Sequence, residues 1–155
     1  VRAARTPTLS DPGLNLFRSA SHYGFQVVCV PGPVAAILAL TSSGLPTDRF
    51  SFLGFLPKKD SAKLKVLREI KDWRTTLIFY ESPYRVQDTL QSLLEVLGDR
   101  PGSVSRELTK LHEETKRGKL SDLITEFSGP IKGEITIVVG VSEDHAPTLP
   151  LDGAD

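Results

Sequence analysis

Arg106, Glu107, Thr109 and Lys110 stand together in SRELTK, the densest polar motif of the chain. A lysine takes a proton from a reacting hydroxyl when its pKa is lowered, and a carboxylate does so when it lies close. Both are therefore candidates for acid–base work. The alternative is an exposed charged turn after a strand, because runs of mixed charge are usually solvated. A second stretch, Val27 to Pro46 (VVCVPGPVAAILALTSSGLP), joins a buried-looking strand to an uncharged helix through Pro-Gly-Pro. A helix start directly after a strand presents free backbone N–H groups, and α/β folds commonly meet small ligands there.

The composition sets outer bounds. The chain has 155 residues, is 39% hydrophobic and 25% charged, and carries 19 basic against 19 acidic residues. It thus lacks the overall basic charge of a non-specific nucleic-acid binder, so any such surface must be local. Two local basic clusters exist, residues 58–74 with seven basic against three acidic side chains and residues 106–119 with five against three. If they share a face they form an RNA-backbone surface; if not, they are ordinary solvated charges. Cys29 is the single cysteine, which excludes an internal disulfide framework and a cysteine metal cluster and fits a reducing, cytoplasmic setting. His22, His112 and His145 show no ligand spacing, so no metal is expected. No apolar run has the length of a membrane span. The absence of methionine leads to the expectation of a fragment.

The elements that position these motifs follow from periodicity. Asp11-Pro12 reads as a helix start, with Leu14, Phe17 and Ala20 on one face and Gly24 as the stop. Phe25 to Val30 reads as a strand buried on both faces. Val34 to Ser42 is a helix without a polar face, expected between two layers or domains. Phe50 to Phe55 is a strand, and a basic helix turns Leu64, Leu67 and Ile70 inward. Thr75 to Tyr80 is a strand, after which Ser82 is expected to cap a helix with Pro83 in its first position. Val86, Leu90, Leu93, Leu94 and Leu97 mark that helix, and Gly98 ends it. Gly102 to Glu107 reads as a short strand, Leu108 to Lys119 as a polar run, Leu120 to Phe127 as a helix and Gly133 to Val141 as a last, interior strand.

The order of TPTLSDPG, VPGPVAAILALTSSGLPTDRF, GFLPKK, TLIFYESPYR, SRELTKLHEET and KGEITIVVG resembles the tetrapyrrole (corrin/porphyrin) methylase superfamily over nearly all of Thr6 to Gly140. The resemblance implies an α/β fold of two domains. Residues 1–46 would be the end of a parallel, Rossmann-like first domain, 47–142 a second α/β domain with a mixed sheet, and 143–155 a tail. It implies S-adenosylmethionine as cofactor in the cleft between them. Thr6, Leu9, Val34, Ala35, Glu81 and Gly118 match positions that face the cofactor in relatives, with Glu81 and Gly118 on one wall. Plain readings compete: core packing for Val34 and Ala35, a carboxylate favoured by a helix dipole for Glu81, and a turn glycine for Gly118. Tyr80 reads as wall. The chain departs from the family at Arg2 to Arg5, where relatives carry Ser-Asp-Ala-Gly.

Within the superfamily, GFLPKK and SRELTK resemble the branch that methylates the 2′-hydroxyl of a cytidine ribose in 16S ribosomal RNA. That likeness implies a small-subunit RNA substrate, a homodimer, and a catalytic role for Arg106, Glu107 and Lys110 in orienting the sugar, holding phosphate or relieving the hydroxyl of its proton. The alternatives are methyl transfer to a tetrapyrrole carbon and a non-catalytic remnant of the family.

Overall fold

Residues 13–28 and 34–142 are described by the computed structural model. Helix α1 spans Gly13–His22, α2 Ala35–Ser43, β1 Phe50–Phe55, α3 Asp60–Ile70, β2 Thr76–Glu81 and α4 Val86–Leu97. Strands β3 (Pro101–Arg106) and β4 (Glu114–Lys119) form a hairpin, followed by α5 (Leu120–Glu126) and β5 (Ile135–Val139). The sheet order is β1-β2-β5-β3-β4, parallel between β1 and β2 and antiparallel elsewhere. A mixed sheet was expected, and it is what forms.

Alternation along the strands divides the core in two. Leu77 and Phe79 of β2, Val104 of β3 and Ile135, Ile137 and Val139 of β5 join Leu67, Leu90, Leu93 and Leu123 in the larger cluster, under α3, α4 and α5. Ile78 and Val138 point the other way, against Ala36, Ala39 and Leu40 of α2. The uncharged helix α2 buries that stripe, yet Ile37 is 41% exposed, so among the described residues one of its sides has no covering layer. Its ends are satisfied locally. The Ala36 N–H donates to the Tyr80 hydroxyl (3.3 Å), the Ser43 hydroxyl donates to Leu40 O (2.6 Å), and Gly44 takes the left-handed conformation (φ 73°) that closes the last turn.

Four expectations change. Phe25 to Val28 is neither strand nor buried, and Cys29 to Pro33 lie outside the described residues. An apolar run becomes a buried strand only when neighbouring strands cover it, and among the described residues none covers 25–28. Leu64 is only half-buried, while Lys63, Leu67 and Ile70 form the inner face of α3. Ser82 and Pro83 do not open α4. They form a turn closed by Arg85 N–H to Ser82 O (3.0 Å), with proline in the position it favours in such turns, and the helix starts at Val86. The polar run contains a strand, ETKRGK, paired residue by residue with β3 from Glu114 opposite Arg106 to Lys119 opposite Pro101.

The C-terminal ends of α3 and α4 converge on Arg100, which is 6% exposed. Its Nε donates to Leu97 O (2.9 Å) and one terminal nitrogen to Lys71 O (2.7 Å). Burial lowers its pKa and Asp72 opposes that shift. Asp99 beside it accepts the backbone N–H (2.9 Å) and hydroxyl (2.7 Å) of Ser121 in the first turn of α5, bonds that hold its carboxyl below the ordinary carboxylate range. A carboxylate depressed in the folded state adds stability above its unfolded pKa, and loses it as pH falls through the folded value. The stability gap between the native chain and Asp99→Asn should therefore stay constant near neutrality and narrow below about pH 4. Urea unfolding at a series of pH values reads this, and a gap that widens in acid would show that Asp99 is not the charged partner of Ser121.

Candidate functional site

A cavity of about 290 Å³ opens where β2 ends and β5 begins. Ala35 at the start of α2, Phe55 at the end of β1, Tyr80 to Pro83 and residues 133–136 line it. Tyr80 is the hinge of this wall. Its ring packs edge-on against Phe52 (4.9 Å) and Phe55 (5.8 Å), and its hydroxyl accepts the free N–H of Ala36. The floor of the cavity is thereby fixed to the N-terminus of α2.

Glu81 is buried (3% exposed) and lines the cavity, but both of its oxygens are engaged. Oε1 accepts the Ser82 N–H (2.7 Å) and Oε2 the Thr89 hydroxyl (2.6 Å); an Arg85 nitrogen lies 4.0 Å away. The carboxylate thus ties the cavity-lining turn to the first turn of α4. In the sheet, Glu81 and Arg106 pair with Ile135 from its two sides, and Glu114 follows Arg106. Glu81 and Arg106 share one row about 10 Å apart, on the same face. Arg106 bonds Glu114 (2.9 Å) through one terminal nitrogen, while its buried Nε has no hydrogen-bond partner.

The loop after β3 is held in an uncommon backbone. Glu107 (φ 53°) and Thr109 (φ 67°) both lie in the left-handed region, a cost of about 1 kcal/mol or more each. Reciprocal bonds offset it. Glu107 N–H donates to Glu134 O (3.1 Å), and Glu134 N–H donates to Glu107 Oε1 (3.0 Å). Thr109 N–H donates to a Glu113 carboxylate oxygen (2.8 Å). Lys110 Nζ lies 3.2 Å from Glu107 Oε1 and 3.6 Å from Glu134 Oε2. Gly133 (φ 97°) leaves room for this tie, because a Cβ there would collide with the Glu107 carboxylate. As Gly133 and Glu134 also line the cavity, the SRELTK loop is bound to its rim.

The structure therefore brings together Ala35, Glu81, Glu107 and Lys110, with Arg106 in the same row as Glu81. Val34 is half-buried at the head of α2 and packs on the smaller apolar cluster. Gly118 is separated from them. It pairs with Gly102 at the far end of β4, and a Cβ there would meet only Asp122, so Glu81 and Gly118 do not share a wall. Thr6 and Leu9 lie outside the described residues. Of the two basic clusters, one includes α3, which follows β1 at one edge of the sheet, and the other includes β4, which forms the other edge. Sequence reasoning missed Phe55, Gly133, Glu134 and Thr136 as cavity residues; the only signal was an acid standing directly before a β-branched strand. Among the described residues, no group of three or more His, Cys, Asp or Glu could hold a metal ion, and no helix is long and apolar enough to cross a membrane.

Known proteins resemble the chain in sequence and in fold. Ribosomal RNA small subunit methyltransferase I of Mycobacterium tuberculosis (strain H37Rv) is 44% identical over 147 residues, which is 94% of this chain and 52% of the relative. The protein of the same name from Halalkalibacterium halodurans is 46% identical over 140 residues, 90% of this chain and 48% of the relative. The chain spans about half the length of these curated relatives. Among solved structures, the methyltransferase CobJ superposes with a TM-score of 0.67 at 20% identity, covering 90% of this chain and 63% of that one. Uroporphyrin-III C-methyltransferase from Thermus thermophilus, complexed with S-adenosyl homocysteine, gives 0.58 at 21% identity, covering 87% and 62%. The fold is shared with both. The family model of the Tetrapyrrole (Corrin/Porphyrin) Methylases matches residues 6–124, and to that family the chain belongs.

Proposed function

We propose that this chain serves an S-adenosylmethionine-dependent methyltransferase acting on small-subunit ribosomal RNA, at the 2′-hydroxyl of a cytidine ribose. The observation that carries this reading is the identity of 44–46% to relatives named for ribosomal RNA methylation, over 90–94% of this chain. In this reading residues 47–142 form the second of two α/β domains and residues 1–46 the end of the first. The working protein is a cytoplasmic homodimer.

The cavity suits the proposed cofactor. Ala35, Phe55, Tyr80 and Pro83 give it apolar walls, with the polar residues Ser82, Glu134 and Thr136 among them, the mixture that holds an adenine or an aliphatic chain. Val34, Ala35 and Glu81 would hold the cofactor, together with Thr6 and Leu9. When bound, S-adenosylmethionine supplies a methyl group on a sulfonium, ready for transfer to an oxygen. The chain's own groups do the rest. Lys110, pinned between two carboxylates, and Arg106, pinned by Glu114, are cations of fixed position suited to orienting a nucleotide through its phosphate or sugar. Glu107, between Lys110 and the rim, is the carboxylate of this loop that would receive the hydroxyl proton.

Lys110→Ala should lower methyl transfer to small ribosomal subunits on the order of 100-fold, with the cofactor dissociation constant from isothermal titration unchanged. An effect confined to cofactor affinity would remove Lys110 from the substrate side. Transfer to a uroporphyrinogen but not to ribosomal RNA would replace this reading with a tetrapyrrole acceptor. A chain that takes up no S-adenosylmethionine would mark it as a non-catalytic member of the family.

A further inference from the structure

Two aromatic rings on the rim of the cavity are left to solvent. Phe55 is 61% exposed and Tyr84 is 91% exposed; the first ends β1 and the second lies in the turn after β2. Single exposed hydrophobics are normal on a protein surface; a pair at the mouth of a cavity is less so. The turn that carries Tyr84 is well held. Ser82 N–H donates to Glu81, Tyr84 N–H to the Ser82 hydroxyl (3.3 Å) and Arg85 N–H to Ser82 O (3.0 Å). An Arg85 nitrogen also donates to Pro57 O (3.2 Å), which ties this turn to the loop bearing the exposed Lys58 and Lys59. Ser82 and Pro83 line the cavity, so Tyr84 stands just outside it.

An exposed ring on a hydrogen-bonded turn that is tied to a loop with two lysines has the chemistry of a single-stranded nucleic-acid contact: the ring takes a base face and the lysines take phosphate. We propose that Tyr84 is a stacking platform for an unpaired base next to the nucleotide whose ribose enters the cavity, with Lys58 and Lys59 on the flanking phosphates. The proposal rests on the RNA reading above and adds how the strand is gripped.

Fluorescence anisotropy with two labelled strands of on the order of 12 nucleotides tests it, one a single-stranded oligocytidine and the other an abasic ribose-phosphate of equal length. The native chain should prefer the oligocytidine. Tyr84→Ala should weaken that strand roughly 5- to 100-fold toward the abasic level and leave abasic binding unchanged. Tyr84→Phe should keep the preference, since it keeps the ring. Lys58→Ala combined with Lys59→Ala should weaken both strands alike and flatten the salt dependence. Cofactor affinity and the thermal unfolding midpoint should not move in Tyr84→Ala. If the native chain binds oligocytidine and Tyr84→Ala binds it equally well, the stacking role falls and the RNA reading stands. If the native chain binds neither strand, both fall together.

Discussion

Truncation of Phe79 to alanine is expected to cost about 4 kcal/mol of unfolding free energy. Phe79 is fully buried and pairs across the sheet with Gly54 on β1 and Ile137 on β5. Its ring belongs to the cluster that holds α3, α4 and α5 on one face of the sheet, with Leu67, Leu90 and Leu93. A ring in this position leaves a cavity bounded by β-strands on one side and helices on the other, and neither can close in without breaking the ladder. Because domains of this size have total stabilities of roughly 5–15 kcal/mol, the variant should be partly unfolded at modest urea. Phe79→Leu, which refills most of the volume, should lose only about 1 kcal/mol. Urea titrations followed by far-UV circular dichroism measure both, and equal losses in the two variants would deny that packing volume is what Phe79 supplies.

Glu81→Ala should cost about 3 kcal/mol, because it leaves the Ser82 N–H and the Thr89 hydroxyl without their acceptor in a buried place. The turn carrying Pro83 and Tyr84 then loses its tie to α4, and the cavity wall loosens with it. Glutamine offers a contrast. Its carbonyl oxygen can accept the Ser82 N–H and its amide can donate to the Thr89 oxygen, so Glu81→Gln should retain most of the stability. Urea unfolding and cofactor titration of both variants separate the roles. A glutamine variant that is stable yet fails to take up S-adenosylmethionine would give the charge a direct part in binding; one that retains both would make Glu81 a strut of the wall.

Local periodicity made several elements legible in the sequence. Val86 to Leu97 could hardly be anything but an amphipathic helix, and ITIVV before Gly140 was readable as an interior strand because both of its faces are apolar. The strand ETKRGK was not, because it has no apolar face and owes its existence to hydrogen bonds supplied by β3. The opposite error arose at Phe25 to Val28, where apolar character was present and, among the described residues, a covering neighbour was not. Ser82 and Pro83 had the residue types of a helix start and served a tight turn instead, a choice set by where Glu81 and Arg85 are anchored.

The candidate site divides along the same line. SRELTK and Glu81 stood out as polar groups near strand ends, yet the tie that joins them runs through Glu134, 27 residues from Glu107. Only the sheet order, which sets β5 between β2 and β3, brings those segments side by side. Gly118 was placed beside Glu81 by a motif match, and strand direction sends it to the other end of β4.

The charged strand β4 also decides what the sheet can refuse. It is an edge, and an edge strand offers a row of unpaired backbone groups to any other chain able to extend the ladder. Lys116 and Arg117 at its centre make a like-for-like strand addition costly, since an incoming copy in full antiparallel register would set Lys116 of each strand against Arg117 of the other. The same residues that hid this strand from a hydrophobic reading thus guard the protein against polymerising through it.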